Sequence, residues 1–322
     1  MAFIGYHASH EQFAPGELLE LVQKAEGAGF SGVMSSDHFA PWSKRQGQSG
    51  FAWAWLGAAM QATHIPFGLI TVPGGWRYHP AISAQAAATL AQMYPGRFPW
   101  LAVGSGEALN EHVIGSGWPN KTTRNNRLVS ASEILKKLWL GETVSSTNPI
   151  PIDQAKLYTQ PDSPPLIIAA ALSEETAAWA GDWADGLITV NQDMSTLRAI
   201  ISAFRGAGNQ GPIFLQLHVS YASNDELARA HAFDQWRSNS ISSEEAEEIK
   251  LTEEFDRLSE TVTPGDLDKN VRISSEPELH ISWLREYLSL GFEQIYVHNV
   301  GRNQTEFIEA YGKHVLPLLK DS

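Results

Sequence analysis

The residues able to do chemistry gather where apolar runs stop. Gly32-Val33-Met34 leads into Ser35-Ser36-Asp37-His38-Phe39-Ala40-Pro41-Trp42. That pattern predicts a buried strand handing a carboxylate, an imidazole and an indole to one loop. A second apolar run ends in Gly104-Ser105-Gly106-Glu107-Ala108-Leu109-Asn110-Glu111, a tight turn followed by carboxylates. An imidazole with an ordinary pKa near 6.5 suits proton transfer at neutral pH, so His38 is a candidate acid/base. Its alternative is a loop histidine bonded to a backbone carbonyl. Neighbours on a strand point to opposite faces, so Asp37 and His38 are not expected to bond to each other. Glu107 offers a second titrating group, or its loop amides cradle a phosphate or ring edge. The same turn also reads as plain structure, because it lacks the third glycine of a dinucleotide fingerprint and the lysine of a Walker loop.

Aromatic residues crowd the neighbouring span: Trp42, Phe51, Trp53, Trp55, Trp76 and Tyr78. Trp53 and Trp55 fall on a helix and read as packing; Trp42, in a loop after Pro41, reads as the wall of a pocket for a flat ring or an apolar substrate. His7, His38, His79, His112, His218 and His298 raise the alternative of a metal-dependent barrel hydrolase. Against it, His7 and His10 stand three apart, without the His-x-His expected on a first strand.

These groups need elements to position them, and the chain alternates strand and helix. Apolar runs at 2–6, 32–36, 67–72, 98–103, 166–171, 186–190, 213–221 and 293–299 predict eight strands, each near-continuously apolar as in a sheet covered on both faces. Segments with helical spacing lie between them, at 16–27, 51–63, 80–93, 124–140, 173–183, 194–207, 224–236, 276–290 and 304–319. Two stretches break the rhythm. Residues 142–164 predict loop and a small hairpin, and residues 238–272 a polar, acidic insertion. Eight βα units predict an α/β fold, a single (β/α)8 TIM barrel over 1–322 with those two insertions; an open doubly wound sheet is the alternative. In such a barrel the site lies at the C-terminal ends of the strands, where His7 and Glu11, Asp37 and His38, Thr71 with Trp76, Glu107, Ala170 and Ala171, and His298 all fall.

Composition sets the outer limits. A net charge of −13 repels nucleic acid and anionic membrane, so neither is an expected partner. With no cysteine, disulfides, thiolate catalysis and thiolate metal sites are excluded. No signal segment or bilayer-length apolar run is visible, and a cytoplasmic protein is the expectation.

The stretches Ala8-Ser9-His10-Glu11-Gln12-Phe13-Ala14-Pro15, Ser36-Asp37-His38-Phe39-Ala40-Pro41-Trp42, Arg77-Tyr78-His79-Pro80-Ala81 and 104–111 carry a resemblance. The chain resembles the bacterial luciferase-like flavin monooxygenase superfamily, in the branch that holds the deazaflavin-dependent glucose-6-phosphate dehydrogenases. The resemblance implies roles for single residues. Asp37 would lie by the cofactor ring, and His38 would be the base that takes a substrate hydroxyl proton during hydride transfer. Trp42 would shield the reacting centre, Glu107 would be a second acid, and the Gly106-Glu107 amides would face the cofactor phosphate. Glu11, Trp42 and Trp76 would line the substrate. A cis peptide bond is implied behind the ring at Ile70-Thr71. Departures matter as well. Lysine and arginine positions that hold phosphate in the sugar-phosphate dehydrogenases fall near Asp193 and Asn270, with Arg257 as a replacement for a third, which argues against a phosphorylated substrate. Ala170-Ala171-Leu172-Ser173 replaces a glycine-rich turn that helps hold the cofactor, and on that ground FMN is preferred to the deazaflavin coenzyme F-420.

The expected function is therefore a flavin-dependent oxidoreductase, by hydride transfer or oxygen activation on a small uncharged substrate. NAD(P)H or a flavin reductase would serve as reductant, and a homodimer is implied by the resemblance. A flavin-binding barrel without turnover is the alternative from another class; the titrating pair His38 and Glu107 weighs against it.

Overall fold

The computed structural model describes residues 2–319. Its strands are β1 (Phe3–Ala8), β2 (Val33–Ser36), β3 (Phe67–Thr71), β4 (Trp100–Val103), β5 (Val144–Ser146), β6 (Ile152–Ala155), β7 (Leu166–Ala170), β8 (Gly186–Val190), β9 (Ile213–Ser220), β10 (Arg272–Ile273) and β11 (Gln294–Asn299). Eight of them pair in parallel in the order β9-β11-β1-β2-β3-β4-β7-β8, and a β8–β9 pairing closes the ring. The chain thus forms the closed (β/α)8 barrel that the alternation predicts.

The helices are α1 (Pro15–Ala28), α2 (Ala52–Ala62), α3 (Pro80–Met93), α4 (Ala108–Glu111), α5 (Lys121–Trp139), α6 (Glu174–Gly181), α7 (Met194–Gly206), α8 (Asp225–Trp236), α9 (Ser243–Ala246), α10 (Thr252–Leu258), α11 (Pro277–Ser289) and α12 (Gln304–Ala310). Their starts follow from side chains that satisfy the first free amides: Asn120 caps α5, Ser173 caps α6, Asp193 caps α7 and Asn224 caps α8. Proline opens α1, α3 and α11, where its missing N–H costs nothing. Trp53 and Trp55 are buried on α2, and the Trp55 indole donates to Pro15 O at 3.0 Å.

Alternation along each strand splits the core in two. Outward side chains such as Tyr6, Leu69, Leu101 and Leu215 pack under the helices. Inward ones, Met34, Trp100, Ala102, Ile168, Ile188, Phe214 and Tyr296, fill the barrel as a plug. Gly68 makes room for it, since a Cβ there would overlap the Trp100 indole. Trp100 Nε1 donates to the Tyr296 hydroxyl at 3.1 Å, which donates to Gln294 Oε1 at 2.6 Å, so the plug hides no unpaired indole.

Both breaks in rhythm are insertions. Residues 142–164 contain the antiparallel β5–β6 hairpin. Residues 238–272 hold α9, α10 and 3-10 turns, and end on β10, which adds to β9. Two sequence expectations need correction. The last helix does not run unbroken over 304–319: α12 gives way to a π turn at Tyr311–Val315 and a 3-10 turn at Leu316–Leu319. Pro317 has no amide to continue an α ladder. The Ile70–Thr71 peptide is trans; among the described residues the cis bond is Asn148–Pro149. At Ile70 and Thr71, β3 keeps regular parallel register with β4, through the pairs Ile70–Ala102 and Thr71–Val103.

Candidate active site

At the C-terminal ends of β1 and β2 two loops meet. Glu11 is buried, and its Oε1 bonds His38 Nδ1 while Ser9 Oγ donates to its Oε2 at 2.7 Å. Burial alone would push the His38 pKa down, but the Glu11 carboxylate beside it outweighs burial and holds it above the ordinary value. The same contact overcomes burial at Glu11 and holds its carboxyl down to about 2. Nδ1 is thus tied to a carboxylate, and among the described residues His38 Nε2 has no protein partner. The indole of Trp42 stands edge-on to the His38 ring, with centroids 5.4 Å apart at 84°. Phe255, from α10, stands edge-on to Trp42 at 5.1 Å.

Asp37 turns the other way, as alternation requires. Its Oδ2 accepts from Thr71 Oγ1 at 3.0 Å and its Oδ1 from the Tyr78 hydroxyl at 3.1 Å. Arg77 donates to the Asp37 carbonyl at 2.6 Å and, through Nε, to Glu111 Oε1 at 2.8 Å. Its Nη1 also lies 3.6 Å from Asp37 Oδ1, so a buried guanidinium stands between two carboxylates, the arrangement that makes their burial tolerable. Asn110 Oδ1 accepts from the amides of Phe39 and Ala40 at 2.8 and 3.2 Å, fixing the loop that carries Trp42.

The turn after β4 is open. Gly106 has φ +87°, and a Cβ there would crowd Val72, the Glu111 side chain and the Trp118 ring, so glycine is required. Among the described residues the amides of Ser105, Gly106 and Glu107 find no protein acceptor. Glu107 is half-buried; burial raises its carboxyl pKa, His38 opposes this, and Glu247 and Glu111 add to the rise. Between this turn and Asp37, the inward side chains Ile70 and Ala170 stay partly exposed above the plug, while Ala171 is buried.

The structure thus brings Glu11, His38 and Trp42 together, with the Gly106–Glu107 turn and a floor of Ile70 and Ala170 at the same mouth. Asp37 and Thr71, expected beside the cofactor ring, are instead buried and bonded to each other, Thr71 on the outward face it shares with Leu69. Trp76 stands apart: it is buried against Trp118 and beneath Arg127, one layer behind the Gly106 turn. Reasoning from the sequence missed Arg77, Tyr78, Asn110 and Glu111 as a bracing network, although all four lay inside the stretches quoted above. It also missed the clasp of the acidic insertion. Asp256 accepts from Ser43 Oγ at 2.6 Å, Arg45 Nη1 at 3.0 Å and Lys44 N at 3.1 Å, and the buried Arg124 side chain pairs with Glu247 at 2.6 Å. Among the described residues no three His, Cys, Asp or Glu are placed to hold a metal ion, so the hydrolase alternative has no ligand set there. Among the described residues no helix is long and apolar enough to cross a membrane.

Residues 1–294 match the family model described as luciferase-like monooxygenase. Relatives cover the whole length. An "F420-dependent glucose-6-phosphate dehydrogenase" of Kribbella flavida is 34% identical over 98% of both chains. One of the same name from Nakamurella multipartita is 33% identical over 98% of this chain and 96% of its own. Among solved structures, an "F420-dependent secondary alcohol dehydrogenase in complex with an F420-acetone adduct" superposes with a TM-score of 0.89, at 30% identity over 98% of each chain. A riboflavin lyase solved with modified FMN matches at 14% identity and TM-score 0.75, which bears on fold alone. The preference for FMN read from the missing glycine turn therefore finds no support among relatives of 30% identity or more. With its closed barrel and its match over nine-tenths of its length, this chain belongs to the luciferase-like monooxygenase family and is an oxidoreductase enzyme.

Proposed function

We propose that the protein is a coenzyme F-420-dependent dehydrogenase of small, uncharged alcohols, with His38 as the base. The observation that carries this reading is the Glu11–His38 pair, which fixes Nδ1 and leaves Nε2 free beside Trp42. A deazaflavin, when bound, supplies a two-electron hydride acceptor. The residues present fit it: the partly exposed Ile70 and Ala170 offer a flat apolar floor, and the unpartnered amides of residues 105–107 donors for an anionic tail. The names of the relatives at 30–34% identity support F-420 over FMN.

In the oxidative direction His38 Nε2 accepts the hydroxyl proton as the carbon gives up its hydride, and Glu11 stabilises the imidazolium that results. Trp42 excludes water from the reacting carbon. Glu107, its carboxyl pKa raised, is the second group able to hold a proton nearby. The uncharged substrate is argued from what replaces the phosphate-holding positions. Asp193 is an exposed helix cap that accepts from the amides of Ser195 and Thr196, and Asn270 spends its side-chain amide on Asn239 O. With hydride drawn from the substrate itself, neither NAD(P)H nor a flavin reductase is needed.

The test is to titrate purified protein with F-420 and with FMN, then add 2-propanol and glucose 6-phosphate separately. The expected result is F-420 binding and loss of its absorbance with 2-propanol only. H38A should keep F-420 binding and lose turnover at least 10²-fold; turnover unchanged in H38A would remove the base from this scheme.

A further inference from the structure

Three histidines sit on the inward face at the strand ends opposite the open floor: His7 on β1, His298 on β11 and His218 on β9. All are buried, at 3, 2 and 7% exposure. Their rings form a chain, with His7–His298 centroids 4.3 Å apart and His218–His298 5.6 Å. Trp236, the last residue of α8, packs on both His298 at 4.6 Å and His218 at 5.1 Å. The chain of rings starts on β1, whose C-terminal loop carries the Glu11 that bonds His38.

The cluster leaves polar atoms without partners: His7 Nδ1, His298 Nδ1 and Trp236 Nε1, each in a residue more than nine-tenths buried. The network settles what one of them is. Gln12 Nε2 donates to Val300 O at 2.8 Å, so Gln12 Oε1 is an acceptor, and His298 Nε2, 3.0 Å from it, must be the N–H. Burial keeps this imidazole neutral. His298 Nδ1 is therefore a lone-pair acceptor, and the Trp236 indole beside it is a donor only. Leaving such atoms unpaired in a buried site is costly, and native proteins rarely do it without a ligand or ordered water.

We propose that His298, Trp236 and His7 form a subsite for a second, uncharged hydroxyl group of the substrate. A hydroxyl is the group whose chemistry answers both, since it can donate to a lone pair such as His298 Nδ1 and accept from an N–H such as Trp236 Nε1, and the two rings touch, with centroids 4.6 Å apart. A neutral imidazole wall with no cation of its own gives no charge to pair with a phosphate or carboxylate. This inference rests on the dehydrogenase reading above and narrows it: the substrate is a diol or polyol, with one carbinol at His38 and another hydroxyl at His298.

The test compares kcat/KM for 2,3-butanediol and 2-butanol, with F-420 as acceptor, in the wild type, W236F and H298F. The expected wild-type ratio favours the diol at least fivefold. Each variant should cut that ratio at least fivefold, through KM for the diol. Equal values for the two alcohols in the wild type, or variants that lower both alike, would overturn the subsite and leave ordered water as its occupant. Thermal melting checks that the variants fold, and W236F keeps the aromatic packing if H298F does not. If F-420 oxidises neither alcohol, the dehydrogenase reading falls by itself. The subsite is then judged by direct binding, followed through tryptophan fluorescence: it stands if the diol binds more tightly than 2-butanol and W236F abolishes the difference, and falls otherwise.

Discussion

Glu11 is worth more to the site than its place in the sequence suggested. There it was a residue near the substrate; in the structure it is the partner that orients His38 and sets its proton affinity. The sign of its effect gives a prediction. A raised pKa keeps His38 protonated to higher pH, and the base must be neutral, so oxidation should rise with pH through a limb above 6.5. In E11Q the raising charge is gone, and the limb should move to lower pH. The loss of orientation should also lower kcat roughly 10²-fold. A pH–rate profile from 5 to 10 checks both, and a limb that stays in place in E11Q would sink the coupling. His38, Asp37 and Glu107 were legible because each follows an apolar run at a strand end. Glu11 was less so, since nothing in the order of residues says that the β1 loop folds over the β2 loop.

At the scale of elements, the insertion 238–272 is what the sequence conveyed least well. Its composition read only as polar and acidic, because its partners lie far off in sequence, 213 positions from Asp256 to Ser43 and 123 from Glu247 to Arg124. Its work is done by particular carboxylates: Asp256 holds the loop of residues 43–45, and Glu247 reaches the buried Arg124 while its carbonyl accepts from Ala108 N at 2.9 Å. Phe255 is thereby pressed on Trp42. D256A removes three hydrogen bonds worth about 0.5–1.5 kcal/mol each, so it should lower stability by about 1.5–4.5 kcal/mol. It should also raise KM more than it lowers kcat, because the wall loosens and the base does not move. Denaturant melts and steady-state kinetics read the two effects separately; an unchanged KM would show that the insertion does not shape the substrate side. The barrel strands, by contrast, were legible almost to the residue, because burial on both faces writes a continuous apolar run that no surface element shares.

For the whole molecule, the buried imidazoles make a liability in acid. Burial lowers the pKa of His7, His10 and His280 to about 4 and of His218 to about 3. An unfolded histidine takes its proton near 6.5, so below that pH the unfolded chain binds more protons than the folded one, and stability falls as pH drops toward 4. One unit of pH in that window is worth about 1.4 kcal/mol for each fully neutral group. The urea midpoint should therefore decline steeply from pH 7 to pH 5, before Glu11, with its pKa near 2, begins to matter. A midpoint flat over that range would mean that these histidines are not held neutral.

Closure of the ring sets a schedule for synthesis. β1 is hydrogen-bonded on one side to β2 and on the other to β11, the last strand of the sheet. About 290 residues separate the two closing strands, so at roughly 5–20 residues per second the nascent chain spends about 15–60 s with the outer edge of β1 bare. That edge is apolar and unprotected, the kind that recruits another chain. The ribosome must therefore deliver every residue from β1 through β11 before His298 arrives beside His7, and a stalled or nicked product would carry His38 and Glu107 on a barrel with an open seam.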